Sequence, residues 1–365
     1  MSKLAPLHLA QSWDNVGLLA GDRSATVRRV LLCIDFSPAV LAEARRGRCE
    51  MVIAYHPPLF KPIKSLVADG ATPRSMTAAL HAAIRAGIAI YSPHTALDAA
   101  DGGTGDALAA LCGATVTGPL DFATNPGSAD EIKISVFVPR EQLDRVAEGM
   151  FAAGAGRIGL YERCSFRIPG TGTFFGGAGT DPRVGHRGRL ESVQEVRLEM
   201  ICTREQLPET IAALRRTHPY EEPAFDLYPL HAKPEPRGIG RLARLPRPMT
   251  LAALARRLAR ATGSTAPQLI GAPAKRVQRL AILAGSAGRF DQDFPRSRRA
   301  DVLITGEVRH HDALALRTGG AAVVALGHWY SERPVLSLLA RSLGRELKGA
   351  TIRISRSDAD PFGAV

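Results

Sequence analysis

Residues 30–60 read VLLCIDFSPAVLAEARRGRCEMVIAYHPPLF, and this stretch decides the fold class of the chain. Two short apolar runs, VLLCID and MVIAYHPPLF, flank SPAVLAEARRG, which has the length and composition of one helix. A helix at 75–87, an apolar run at 88–94 and a helix from about Gly105 to Cys112 continue the pattern. Strands that alternate with helices of about ten residues are typical of a mostly parallel sheet covered by helices.

The middle of the chain follows a different pattern, which begins near Asp121 with the loop-like stretch ATNPGSADE. EIKISVFVP at 131–139 predicts a strand, and 140–156 predicts an amphipathic helix. A Gly-rich passage, the strand SVQEVRLEMIC at 192–202 and a second helix that ends near Thr217 follow. The order strand, helix, strand, strand, helix is typical of a small ferredoxin-like α+β module.

The first pattern returns after HAKPEPRG at 231–238, which we interpret as a linker. VQRLAILAG, ADVLITGE and AAVVALGH then predict three short apolar strands. We therefore predict the α/β class, with one split α/β domain made of two similar halves, 1–120 and 236–365. The ferredoxin-like α+β module at 121–235 is inserted between these halves.

Composition excludes several classes of protein. The 365 residues are 45% hydrophobic, which suits two or three folded domains and excludes a disordered chain. No run of about 18 apolar residues occurs and the first residues lack a signal-like apolar core, so we expect neither a membrane span nor secretion. The five cysteines include no C-x-x-C pair, which argues against a disulfide framework and favours a reducing cytoplasm.

The positive charge is concentrated in the last third of the chain. The net charge is +12, and residues 236–365 hold 22 basic against 9 acidic residues. No Asp or Glu occurs in 236–290, which contains ten Arg and one Lys. Two interpretations remain open: Arg-rich solvent-exposed faces, or a surface that attracts phosphate groups.

Three histidines follow predicted strands, and two carboxylates accompany them. His56, His94 and His328 each end an apolar run, and the carboxyl ends of parallel strands meet in one crevice. Asp98 lies four residues after His94, and Glu332 lies four after His328, a spacing that places both side chains on one helix face. Imidazoles and carboxylates that converge in this way predict a divalent-metal site.

Other polar residues compete with this interpretation. A single strand-end histidine is more often a cap or core residue than a ligand, so the prediction depends on the whole set. The adjacent His310 and His311 would point about 100° apart on a helix. They are weaker candidates, either for substrate contact or for simple solvation, and Tyr55 is a further weak candidate for substrate contact. His218, Glu221 and Glu222 could mimic a metal site, but we expect them to shape a turn.

Five motifs, in this order, resemble those of the NIF-three-like family, whose bacterial members are named GTP cyclohydrolase 1 type 2 homologues. They are SWDNVGLLAGD (12–22), YHPPLF (55–60), SPHTALDAADGGTGDAL (92–108), DVLITGEVRHHDAL (301–314) and GHWYSERPVL (327–336). The middle block resembles the insertion of the longer bacterial members, a ferredoxin-like module compared with CutA and PII proteins. The resemblance therefore covers nearly the whole chain.

The resemblance implies a two-metal site that faces the inside of a ring-shaped homohexamer. Carried over position by position, the implied ligands are His56, Asp98, His328 and Glu332, with His94 beside the metals. One departure concerns Tyr55, because many members have His-His where this chain has Tyr55-His56. Loss of that imidazole lowers the expected occupancy of one metal position, or leaves Tyr55 or water to fill it.

The leading hypothesis is a divalent-metal-dependent hydrolase that acts on a nucleotide, with GTP cyclohydrolase-type chemistry. A metal lowers the pKa of bound water from 15.7 toward about 7, and the resulting hydroxide would attack C8 of guanine. Asp98 and Glu332 would hold the ions, with Glu332 as the bridge, while His94 would carry protons. The ligand types suit zinc, iron, manganese or magnesium, as one or two ions per subunit.

Two alternatives remain open. The protein is a non-enzymatic metal-binding or regulatory protein if the ring stores, delivers or senses a metal. It binds nucleic acid if the basic stretch at 236–290 tracks phosphates. We rank nucleic-acid binding last, because aromatic residues make up only 5% of the chain and base stacking needs them.

Overall fold

The structure is a computed structural model with two compact units. One unit comprises Met1–Ala123 with Glu235–Val365, and the other comprises Thr124–Pro234. Among the described residues, no helix has the length and apolar character that crossing a bilayer requires. The residues that the structure describes are 1–68, 70, 72–124, 130–181, 184–231, 234–286 and 299–362.

The described strands and helices alternate along much of the chain. The strands are β1 (Gly17–Ala20), β2 (Arg29–Cys33), β3 (Met51–Ala54), β4 (Ala89–Ser92), β5 (Thr115–Thr124), β6 (Glu131–Pro139), β7 (Phe166–Phe175), β8 (Leu190–Thr203), β9 (Phe225–Pro229), β10 (Pro234–Thr250), β11 (Gln268–Ile270), β12 (Arg276–Ser286), β13 (Val302–Glu307), β14 (Val323–Ala325) and β15 (Thr351–Ile354). The helices are α1 (Pro38–Arg46), α2 (Met76–Arg85), α3 (His94–Ala99), α4 (Thr104–Cys112), α5 (Leu143–Ala152), α6 (Leu207–Thr217), α7 (Leu251–Thr262), α8 (His310–Thr318), α9 (His328–Glu332) and α10 (Val335–Glu346).

The first sheet has the strand order β1-β4-β3-β2-β15, in which β15, β2, β3 and β4 are parallel and β1 is antiparallel to β4. Alternate side chains of β2 enter different hydrophobic clusters. Leu31 packs in one cluster with residues of α1 and α2, and Leu32 packs in another with residues of α10. Burial on both faces explains why these strands appear as continuous apolar runs.

The second sheet of this unit has the order β11-β14-β13-β12-β10-β5. The three apolar runs predicted as strands form the adjacent parallel strands β12, β13 and β14. Ile304 of β13 packs in a cluster with residues of α4 and α7, whereas Leu303 packs in a cluster with Leu316 of α8. The chain is thus of mixed α/β type with several sheets.

The unit Thr124–Pro234 contains an antiparallel sheet of order β7-β8-β6-β9. Val136, Leu198, Met150 and Leu214 form part of its core, between the sheet and helices α5 and α6. Strand β7 includes the start of the Gly-rich passage. Strand β9, which the sequence analysis did not assign, pairs with β6.

The predicted linker 231–238 is partly wrong. Residues 234–238 belong to strand β10, whose neighbours in the sheet are β12 and β5. The polar, proline-containing composition of this segment suggested a loop whose backbone N–H and C=O groups bond to solvent. In the sheet, neighbouring strands satisfy these groups instead. Residues 232–233 of the predicted linker, and 125–129 of the predicted loop near Asp121, lie outside the described residues.

The segment after β15 is anchored by Glu43 of α1. Its carboxylate accepts hydrogen bonds from Ser355 Oγ (2.6 Å), Arg356 N (3.1 Å) and Ser357 N (2.9 Å). Burial alone would raise the pKa of Glu43, but these hydrogen bonds lower it to about 2. The carboxylate therefore stabilises the fold in its charged form.

We predict that Glu43→Gln lowers the free energy of unfolding at pH 7 by about 1.5–3 kcal/mol, the range for a hydrogen bond to a charged group. The pKa of Glu43 is lower in the folded protein than its unfolded value near 4.5. Its carboxylate therefore stabilises the fold above about pH 4.5, and this stabilisation is lost as the pH falls toward about 2. The difference between wild type and variant should therefore shrink between pH 5 and pH 2 in urea unfolding curves followed by circular dichroism. Glu346→Gln is the control, because Glu346 forms only an exposed ion pair with Lys3 at 3.4 Å.

Candidate metal centre

His56 projects from the carboxyl end of strand β3. Beyond the strand, Tyr55 N donates to Cys33 O (2.9 Å) and His56 N donates to Ile34 O (3.0 Å), which extends the pairing with β2. The two ring nitrogens of His56 face different carboxylates. Nδ1 lies 2.9 Å from Asp35 Oδ1, and Nε2 lies 3.2 Å from Glu332 Oε2. The ring is therefore held in one orientation, with Nε2 directed toward Glu332.

His328 and Glu332 lie on the short helix α9, which follows strand β14. Gly327, at φ +93°, precedes the helix, and its N–H donates to Gly306 O (2.8 Å). His328 Nε2 is 3.3 Å from Glu332 Oε1, and His328 Nδ1 is 3.2 Å from Glu307 Oε1. Glu332 is 3% exposed, so its charge is buried between the two imidazoles.

His56, His328 and Glu332 form a group that could hold a metal ion. One ligand atom from each residue lies within 4.8 Å of the other two. Each histidine has its Nδ1 beside a carboxylate and its Nε2 beside Glu332, which is the orientation that outer carboxylates give to metal-bound imidazoles. We call these three residues the metal group.

Two observations test whether a cation fits this metal group. Within the described residues, Glu332 Oε2 is a buried atom without a well-oriented hydrogen bond, although it lies 3.2 Å from His56 Nε2. Gly285, at the end of β12, has φ +64°, and a Cβ there would lie 2.2 Å from Glu332 Oε1. The glycine therefore keeps open the space beside the carboxylate, so the residues present fit a divalent cation.

The ionisation of the group depends on the shared carboxylate. Burial would lower the pKa of His56, but the hydrogen bond with Asp35 and the close contact with the Glu332 carboxylate raise it to about 10. The hydrogen bond with Glu332 raises the pKa of His328 to about 9. Burial would raise the pKa of Glu332, yet its contacts with both histidines lower it. Both shifts favour the protonated histidines, so a cation held by this group would compete with protons.

Asp98, the fourth predicted ligand, has one carboxylate oxygen engaged by other side chains of the protein. Its Oδ1 accepts hydrogen bonds from Tyr55 Oη (2.7 Å) and Thr104 Oγ1 (2.6 Å). Among the described residues, the metal group does not include Asp98. Burial raises the pKa of Asp98. Burial, and to a smaller extent the charge of Asp98, raises the pKa of Tyr55. Tyr55, a predicted substrate contact, is 2% exposed and thus serves as a buried donor to Asp98.

His94, predicted to carry protons, lies beside the metal group at the start of α3. Its ring centroid is 5.4 Å from that of His56, and its backbone has φ +21°, an uncommon value for a non-glycine residue. Asp14 Oδ1 lies 2.8 Å from His94 Nδ1, and Asp14 Oδ2 accepts from Thr95 N (3.1 Å). Burial would raise the pKa of Asp14, but hydrogen bonds with His94 and Thr95 lower it. Asp14 therefore orients His94.

His310 and His311 lie outside the metal group, at the exposed start of α8, with their ring centroids 5.5 Å apart. His218 is buried and shapes a turn. Its Nδ1 accepts from Tyr220 N (3.1 Å), which leaves Nε2 to donate to Phe137 O (3.0 Å). These contacts agree with the turn that we expected at this position.

Asp358 joins the two segments that carry the metal group. Its carboxylate, 6% exposed, accepts from Ile34 N (2.8 Å) and Asp35 N (3.3 Å), just after strand β2. The same carboxylate accepts from Trp329 Nε1 (3.3 Å) and forms an ion pair with Arg333. Sequence reasoning missed this residue, because Asp358 lies 324 positions from Ile34 and belongs to no motif.

Several arginines of the basic stretch 236–290 are held by structural partners. Arg241 is 3% exposed and pairs with Asp106 at 2.8 Å, and Arg279 pairs with Asp301 at 2.7 Å. The stretch contains no acids, so both partners come from other parts of the chain. Part of the local positive charge is therefore neutralised within the fold.

The sequence profile of the family Duf34/NIF3 (NGG1p interacting factor 3) matches residues 1–361. The chain is 36% identical to the GTP cyclohydrolase 1 type 2 homolog of Mycobacterium tuberculosis, over 98% of this chain and 93% of that protein. A Bacillus cereus protein related to NIF3 has 32% identity and a TM-score of 0.64, with 100% of this chain and 96% of that chain covered. A Staphylococcus aureus protein with 24% identity and a TM-score of 0.76, at the same coverage, shares the fold.

We predict that Gly285→Ala reduces the affinity for divalent cations by tenfold or more. The added Cβ would meet Glu332 Oε1, and φ +64° is unfavourable for alanine, so the carboxylate must move. Isothermal titration calorimetry with Zn²⁺ or Mn²⁺ measures the change. Gly344→Ala is the matched control, because a Cβ at Gly344 meets nothing within 4 Å and the residue lies within α10. Equal affinities in the two variants would contradict the assigned role of Gly285.

Proposed function

The chain belongs to the Duf34/NIF3 family, and from this premise we propose that it is a divalent-metal-dependent hydrolase acting on a nucleotide. The observation that carries the proposal is the metal group, in which two imidazoles and one buried carboxylate have ligand atoms within 4.8 Å. The names of the relatives support GTP cyclohydrolase-type chemistry as the candidate reaction.

The residues around the metal group have distinct roles in this proposal. When bound, a divalent cation supplies a Lewis acid that lowers the pKa of water toward about 7. His56, His328 and Glu332 would hold it, while Asp35 and Glu307 orient the imidazoles.

His94 is the proposed proton carrier. The contact with Asp14 at Nδ1 leaves Nε2 available to accept a proton from water and return it to a leaving group. Asp98 accepts hydrogen bonds from Tyr55 and Thr104 at Oδ1, so its second carboxylate oxygen is the one that would contact a cation.

The same contacts support one strongly held cation per chain. At the position where the family resemblance implies a second imidazole, this chain has Tyr55, whose hydroxyl donates to Asp98. One of the two Asp98 oxygens is thus occupied by hydrogen bonds within the protein. We infer that a second metal position is weak.

We predict that Tyr55→His raises the cation content from about one to about two per chain, since it adds an imidazole and frees Asp98. Inductively coupled plasma mass spectrometry after dialysis against Zn²⁺ gives the number. Tyr55→Phe is the control: it removes the hydroxyl without adding a ligand, so the content should stay near one. A wild-type content of two would show that the inference from Tyr55 is wrong.

Architecture and assembly belong to the same proposal. The element order β6-α5-β7-β8-α6-β9, with an antiparallel sheet and two helices in one core, supports a ferredoxin-like module inserted into a split α/β domain. Family membership supports a ring-shaped homohexamer. Sedimentation velocity of the full chain, whose mass is 39.0 kDa, distinguishes a hexamer from smaller species.

The experiment that tests the activity is a turnover assay with GTP on metal-loaded protein. We expect Glu332→Gln to lower metal content and turnover together. Because Glu332 is a proposed ligand, the loss should exceed the roughly 10–100-fold loss that follows removal of a residue that only hydrogen-bonds to a ligand. Glu346→Gln should change neither quantity. If the loaded wild type leaves GTP unchanged while an authentic cyclohydrolase converts it, the proposed reaction is wrong. Retained metal in that case would favour metal storage or sensing.

A further inference from the structure

Beside the metal group lies a pair of exposed aromatic rings, Trp13 and Phe60, which we call the aromatic platform. We propose that the aromatic platform stacks the planar ring of an anionic ligand, which makes it the nucleobase subsite of the metal centre. This inference rests on the proposed function, because it identifies the substrate by its heterocycle. The ligand class is a purine nucleotide or a similar planar heterocycle that carries phosphate.

The aromatic platform lies next to the metal group, with His94 between them. The centroids of Trp13 and Phe60 are 5.9 Å apart, with an interplanar angle of 71°. Trp13 is 6.1 Å from His94, which is itself 5.4 Å from His56. Two ring-to-ring contacts therefore connect the platform to a candidate metal ligand. A ring stacked on Trp13 would lie next to the proposed proton carrier.

The platform is exposed although its backbone is anchored. Trp13 is 59% exposed and Phe60 is 48% exposed. Asp14, which follows Trp13, is held by His94 and Thr95. Asn15 Nδ2 donates to Leu59 O (2.6 Å), which ties the segment of Trp13 to the segment of Phe60. Adjacent large apolar rings that remain exposed on an anchored backbone indicate a binding surface.

The chemistry of the surrounding segment favours an anionic planar ligand. Lys61 directly follows Phe60 and Lys64 lies three residues further on; both are exposed, and residues 56–68 contain no acid. Stacking on aromatic side chains accepts any nucleobase, whereas the lysines attract phosphate. A nucleotide bound in this way would bring its heterocycle, not its phosphates, toward His94. This orientation suits chemistry at the base.

Binding can be measured without turnover, with GMP as the probe and ribose 5-phosphate as the matched phosphate that lacks a base. In calorimetry on the full-length protein, we expect GMP to bind and ribose 5-phosphate to bind at least tenfold more weakly. Trp13→Ala should weaken GMP binding about 5- to 150-fold, the range for loss of one stacked base. Trp13→Phe, which keeps a ring, should recover most of the affinity. Phe175→Ala, at a 63% exposed aromatic of the other unit, is the control and should have no effect.

Fluorescence gives an independent reading, since the chain has only two tryptophans, Trp13 and Trp329. GMP should quench the tryptophan emission of the wild type saturably and that of Trp13→Ala much less, whereas ribose 5-phosphate should quench neither. Equal GMP affinity in wild type and Trp13→Ala, or no GMP binding by wild type, would overturn the platform. A smaller assembly mass for Trp13→Ala with unchanged GMP affinity would identify a contact between copies instead. If Trp13→Ala loses GMP binding and the wild type does not turn over GTP, the aromatic platform is supported and the hydrolase proposal is wrong.

Discussion

The carboxylate of Asp358 is the constraint on which the candidate metal centre depends. It accepts hydrogen bonds from the backbone after β2, where Asp35 orients His56, and it also holds Trp329 and Arg333 on either side of Glu332. One buried group thus sets the distance between segments from opposite ends of the chain. Because Glu43 anchors the preceding residues Ser355–Ser357, this constraint extends back to helix α1.

A second buried carboxylate, that of Glu332, shifts the pKa values of the metal group. Glu332 lies between His56 and His328, and their mutual attraction keeps Glu332 charged despite burial while it raises both histidine pKa values. Burying ionised groups of this kind costs desolvation free energy. Gly285 has no side chain beside the Glu332 carboxylate, an arrangement that suits a candidate site for a cation.

The prediction from sequence was most complete where the signal is local. Apolar runs at 277–285, 300–307 and 321–328 became neighbouring parallel strands, because burial on both faces imposes that composition. It failed where pairing partners decide the outcome. Residues 234–238 have the composition of a linker yet lie in β10, and β9 was missed. Asp14, Asp35 and Glu307 were given no role, because the local sequence does not show that each of these carboxylates lies beside an imidazole.

The sequence by itself determined the α/β alternation, the family, and the positions of His56, His94 and His328 after apolar runs, since these depend on short-range pattern. The i, i+4 pair His328 and Glu332 is equally local. Only the tertiary structure decided that Asp98 turns toward Tyr55 and Thr104, that Trp13 lies against His94, and that Asp358 joins the two segments. Apart from the contact between Asp98 and Thr104, these contacts join residues far apart in the chain, and their geometry follows from how the sheets and helices pack, which no local pattern encodes.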